Sequence, residues 1–237
     1  MRQLLFALAI LLPIGACAEE AEDNFVSANL ISIFYHEMGH ALIDIMRLPV
    51  FGQEEDAADM ASILFLDNTF SEQDALSIAY DTALGLHAES RNEPDPNDTA
   101  WGVHGASLQR FYNLVCLFYG ADVDTRDVFA IDMGLPAERA RTCAHEYQLA
   151  DESWGPVFDE LFDSGPGASM IYTGSDDGFA QDIIFTEVAT LNELLTLPED
   201  LEVTVEPCGQ PNAFYDPSLV KIIICAEFEP YLRKLAR

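Results

Sequence analysis

Apolar residues recur at intervals of three and four from position 24 to about 46 (Phe25, Leu30, Ile33, Phe34, Leu42, Ile45, Met46), a spacing that gathers them on one side of an α-helix. Residues 47–53 interrupt the pattern with Pro49 and Gly52, and an Ala-rich segment with one apolar side resumes at Glu54 and runs to about Phe65. So short a link predicts two helices packed antiparallel. A third helix is predicted over 71–90, with Ser71 as N-cap and Asp74 where a capping-box acid sits. The acidic, proline-bearing stretch 92–99 reads as a loop. Further helices are predicted over 106–119 and 136–149, the second with Pro136 near its first turn. After Ser164 the texture changes. Short β-rich runs at 170–173, 183–186, 201–205 and 220–225 alternate with turn residues such as Asp176-Asp177-Gly178 and Asp216-Pro217. The pattern predicts an α+β domain, mainly helical, with a helical hairpin near its start and a small, mostly antiparallel C-terminal sheet.

Length and composition narrow this to one unit. With 237 residues, 49% of them apolar, the chain can build one well-packed domain and little more, so a single domain is expected over 19–237. Ahead of it, Arg2, an apolar run over 4–12 and then small residues have the layout of a signal peptide over 1–18, too short to span a membrane. Ile14-Gly15-Ala16-Cys17 resembles a bacterial lipobox, while Ala16-Cys17-Ala18 also fits an A-x-A cleavage site. Export to a bacterial periplasm or cell envelope is therefore expected, with membrane contact only through a lipid anchor at Cys17. The net charge of −30, from 41 acidic and 11 basic residues, repels nucleic acid and excludes it as a partner. Either processing route at Cys17 leaves four cysteines, and in an oxidising compartment these suggest two disulfides with three possible pairings. The local pairs Cys116–Cys143 and Cys208–Cys225 are predicted, the second stapling two successive β-rich runs. None has C-x-x-C spacing, which argues against a cysteine zinc site.

The chemistry concentrates in His36-Glu37-Met38-Gly39-His40. On a helix, His36 and His40 lie one turn apart on one face and can present two imidazole nitrogens to one metal, with Glu37 beside them to handle the proton of a metal-activated water. Downstream, Glu55-Asp56-Ala57-Ala58-Asp59 has the form E-x-x-A-D. Together the two motifs are similar to those of gluzincin-type metallopeptidases. More closely, HEMGHALID, LPVFGQEEDAAD and QRFYNLVCLFYG resemble a family of bacterial metallopeptidases known as a domain of unknown function, over about residues 34–151. The resemblance implies His36, His40 and Glu55 as zinc ligands, Glu37 as general base, and Asp59 as the carboxylate that orients a ligand histidine; it implies nothing about substrate. In one respect the chain departs from it. The segment from Cys208 through Asn212-Ala213-Phe214-Tyr215-Asp216-Pro217 to Cys225 resembles one expected before the metal helix in such relatives, and here it follows.

Simple antiparallel pairing of the two helices would put Asp59 rather than Glu55 level with His40, so both remain candidates for the third ligand. Glu54 and Asp56 point to other faces and read as solvated. His104, six residues before Arg110, resembles a histidine and arginine pair flanking the site in some membrane-associated relatives, and is a candidate catalytic donor to an oxyanion; Arg110 could instead pair with a carboxylate. Asp44 continues the line of His36 and His40 and could support a ligand, whereas His87 and His145 read as structural. The expected function is zinc-dependent hydrolysis of peptide bonds in a peptide or protein substrate. Two rivals are an envelope binding or scaffolding protein with a structural zinc site and a zinc hydrolase of a non-peptide amide.

Overall fold

A computed structural model describes residues 14–93, 101–175 and 177–237. The apolar run of the signal sequence and most of the 92–99 loop lie outside these residues. Helix α1 (Ile14–Ile45) is the spine, and α2 (Glu54–Thr69) and α3 (Glu72–Ser90) pack along it. Val26, Leu30, Phe34, Tyr35, Met38, Ala41 and Leu42 are fully buried, so α1 is enclosed on several sides, beyond what a single apolar stripe would do. Ser71 caps α3 as predicted, its Oγ accepting from the Asp74 N–H at 3.3 Å.

Small residues set the closest approach in the core. A Cβ added to Gly39 would lie 2.9 Å from the Ala58 Cα, so α1 and α2 touch backbone to backbone at the level of the histidine pair. Helices α4 (Ser107–Ala121), α5 (Asp127–Asp132) and α6 (Ala137–Asp163) complete the helical part. The predicted 136–149 helix continues to Asp163 because Trp154, Phe158 and Leu161 extend its buried face. Cys116–Cys143 ties α4 to α6, and Cys208–Cys225 closes the other predicted pair.

The fold class is the expected α+β, mainly helical, but the sheet is mixed rather than mostly antiparallel. Its strands β1 (Met170–Tyr172), β2 (Leu201–Glu206), β3 (Ala213–Asp216) and β4 (Lys221–Cys225) stand in the order β1-β2-β4-β3. The β1–β2 and β2–β4 pairs are parallel and β3–β4 antiparallel. The reason is α7 (Phe179–Leu194), which absorbs the run at 183–186 and crosses from β1 to β2, as a parallel connection requires. Its buried Ala180, Ile184, Val188 and Leu191 follow the helical period, which overrides the local β preference of Ile183 and Ile184.

Helix α7 reaches α1 through a buried polar contact, the Tyr35 hydroxyl donating to Glu187 Oε2 at 2.9 Å. A last helix, α8 (Phe228–Leu235), escaped the periodicity reading. It returns to the start of α1, where Arg233 pairs with Asp23 at 2.7 Å and Arg237 with Glu22 at 2.9 Å. Among the described residues no helix is long and apolar enough to cross a membrane.

Two outcomes are expected. Gly39→Ala inserts a methyl against backbone that has no flexible side chain to yield, and should cost about 1–3 kcal/mol, read as a lowered denaturation midpoint. Burial holds the Glu187 carboxyl above the ordinary glutamate value of 4.5, so the folded state keeps a proton that the unfolded chain releases. Stability therefore falls as pH rises from about 4.5 toward the folded pKa. Glu187→Gln can still accept from Tyr35 without that proton, so its Tm relative to the parent should climb over this range; a pH-independent difference would contradict the assignment.

Candidate metal centre

The Gly39–Ala58 contact presses the first turns of α2 against the histidine face of α1. Glu55 Oε2 lies 3.2 Å from His36 Nε2 and 3.3 Å from His40 Nε2, and the two Nε2 atoms are 3.2 Å apart. Asp59, one turn on, meets the other side of the His36 ring. The register is thus the one implied by E-x-x-A-D, with Glu55 at the triad and Asp59 behind it. Both outer ring nitrogens face carboxylates. His36 Nδ1 donates to Asp59 Oδ1 at 2.8 Å and His40 Nδ1 to Glu54 Oε1 at 2.8 Å. A carboxylate can only accept, so each pair fixes the Nδ1–H tautomer and aims the Nε2 lone pair inward. Glu54 is therefore a working partner of His40 rather than a purely solvated residue.

Three electron-rich atoms held this close repel one another unless a cation lies between them. Burial works against a charged His36, yet hydrogen bonds from its ring to Asp59 and Glu55 prevail and lift its pKa to about 9, so that without a metal ion a proton on Nε2 is the cation between them. Glu55 is also opposed by burial, but the imidazoles of His104, His36 and His40 hold its carboxyl far below the usual range. Tetrahedral zinc with ligand bonds of about 2.0–2.1 Å separates its donor atoms by about 3.3 Å. The triad matches that spacing, so these residues fit a tetrahedral metal ion.

Glu37 is 5% exposed beside the triad. Burial raises its proton affinity, and the two histidines and the backbone N–H of Tyr215 pull it back down. Tyr215 comes from β3. The Asn212 carbonyl accepts from Cys225 N–H at 2.9 Å, so by antiparallel alternation Ala213 and Tyr215 turn their backbone groups away from β4 and toward the site. The Tyr215 hydroxyl donates to Asp44 Oδ2 at 2.8 Å, which latches the strand to α1. Asp44 thus supports β3 rather than a ligand histidine. No local signal marks Tyr215; only the resemblance of its segment to one near the metal helix pointed there.

His104 Nε2 lies 2.9 Å from Glu55 Oε2, with its side chain 55% exposed at the rim. Arg110 takes the alternative foreseen for it. Its Nε donates to Asp59 Oδ2 at 2.8 Å and its Nη2 to Oδ1 at 2.7 Å, a two-pronged clamp that commits the guanidinium to Asp59. His87 packs on Phe111 and His145 is exposed, and neither joins the triad. Two cavities open onto the centre. One of about 1120 Å³ has mixed walls that include Leu48, Val50, Met60, Leu114 and Trp154; one of about 610 Å³ is bordered by β3 and the end of α1.

No curated protein and no solved structure matches the chain significantly. A family model described as "Putative metallopeptidase" matches residues 14–157 and 173–236, which include the helical hairpin and the strand beside it. These segments make up most of the sequence, and the chain belongs to that family, DUF4344.

Proposed function

We propose that the protein is a zinc-dependent, gluzincin-like peptidase of the bacterial cell envelope, with His36, His40 and Glu55 as metal ligands and Glu37 as general base. The observation that carries this reading is the donor triangle of 3.2–3.3 Å whose two imidazoles are held from behind by Asp59 and Glu54. Zinc bound there would supply Lewis acidity, polarising a carbonyl and making water more acidic. Glu37 takes the proton from the attacking water and returns it to the leaving amine; its proton affinity, raised by burial, suits both transfers. His104 provides an N–H donor at the rim for the developing oxyanion. Asp59, clamped by Arg110, holds the His36 ring in register.

A structural zinc site needs ligands and no base, so a buried Glu37 beside the triad weighs against the scaffolding reading. Peptide substrates are favoured over other amides by β3. It stands at the edge of the sheet with the Ala213 N–H and C=O directed toward the cleft, where an extended backbone can pair with them. Two disulfides are compatible with an exported protein, as are the signal peptide over 1–18 and the processing routes at Cys17.

The purified protein should contain about one zinc and cleave peptides in a chelator-sensitive manner. Glu37→Gln should retain the metal and lose most turnover, since it removes the base and spares the ligands; undiminished cleavage would favour the scaffold. Glu55→Ala should abolish tight zinc binding, whereas Asp59→Asn should weaken affinity or activity by about 10- to 100-fold. The reverse order, measured by metal titration, would make Asp59 the ligand.

A further inference from the structure

The smaller cavity contains a cation that none of this chemistry uses. Arg47 lines it together with Glu37, His40, Glu54 and Glu55, at the point where α1 ends. Its backbone φ is +55°, in the left-handed region. The Arg47 N–H bonds the Asp44 carbonyl at 3.1 Å and the Leu48 N–H bonds the Ile43 carbonyl at 2.9 Å, a Schellman ending that places Arg47 at the position where glycine normally sits. Local backbone energetics disfavour any β-carbon there, so a large side chain at this place is not explained by the turn.

The partners in the cavity are unevenly used. Each carboxylate already has a donor: Glu37 the Tyr215 N–H, Asp44 the Tyr215 hydroxyl, Glu54 the His40 ring, Glu55 the imidazoles. Arg110, Arg126, Arg139, Lys221, Arg233 and Arg237 are all ion-paired. The Arg47 side chain takes part in no ion pair or hydrogen bond among the described residues, and it lines the edge of the cleft.

We infer that Arg47 is a specificity determinant that pairs with a carboxylate of the peptide substrate, an Asp or Glu side chain or a C-terminal carboxylate close to the scissile bond. This rests on the peptidase reading above. The overall charge of −30 favours cationic substrates, so selection of an acidic one would mark the local cation against the surface field.

The probe is a mixed peptide library matched in Glu against Gln and Asp against Asn, with free and amidated C-termini, digested by the zinc-loaded protein and read by mass spectrometry. The parent should favour the acidic member, or the free C-terminus, at one position flanking the cut by about tenfold. Arg47→Gln and Arg47→Gly should erase that ratio. Arg47→Gly should also raise Tm by about 2–4 °C, because the left-handed residue is no longer strained; a purely structural arginine would lower it. A second readout needs no turnover. A carboxylate peptide should bind the Glu37→Gln protein about tenfold more tightly than its amide, and the added Arg47→Gln change should remove the difference. Chelator-sensitive cleavage with no acidic preference, with a preference for Lys or Arg, or with a preference that survives Arg47→Gln overturns the Arg47 proposal alone. Absence of chelator-sensitive cleavage overturns the peptidase reading and this proposal with it.

Discussion

The centre depends on one place where two backbones meet. With no side chain at Gly39 and only a methyl at Ala58, α1 and α2 approach until the added Cβ distance is 2.9 Å. That approach lets a glutamate in the first turn of α2 reach both imidazoles, and it converts a sequence spacing into a triangle of donor atoms. Packed interiors do not deform gradually, so a wider crossing would carry Glu55 and Asp59 away from the histidines together. The glycine within the histidine motif is therefore as much a part of this cluster as the side chains that meet in it.

Around that contact the charges are arranged in layers. The inner atoms are all electron-rich; behind them Asp59 and Glu54 fix the rings, and Arg110 in turn fixes Asp59. Of these groups only Arg110 brings a fixed positive charge, and its clamp on Asp59 offsets one of the carboxylates crowded around the rings. The arginine clamp matters more here than a surface ion pair would, because Asp59 and Arg110 are both largely shielded from water.

The helical hairpin could be read from the sequence because its information is local. His36, His40, Glu55 and Asp59 lie within about three turns of a single break, and their motif spacing is a direct image of helix geometry. The same holds for the Ser71 cap and the two disulfides, whose partners are near neighbours along the chain. What could not be read was set by distant contacts. Residues 183–186 have strand-forming side chains, yet burial against the sheet and α1 made them helical; the sheet became mixed because that helix carries the chain across it. Tyr215 meets Asp44 across 171 positions, and its contribution to Glu37 is made by a backbone N–H, which no side-chain motif records. Simple hairpin geometry misjudged Glu55 and Asp59 because it took no account of how closely Gly39 allows the helices to cross.

The latch between Tyr215 and Asp44 also separates two events in time. The two histidines and the carboxylates they meet lie 14 to 23 positions apart, and a hairpin with such short contacts can form as soon as its own residues are available. The strand beside Glu37 meets α1 across 171 positions, and a contact so distant in the chain forms more slowly than the hairpin's own. A nascent or partly folded chain can thus bring His36, His40 and Glu55 together before β3 has come to lie beside Glu37, so the cluster is complete only when the fold is.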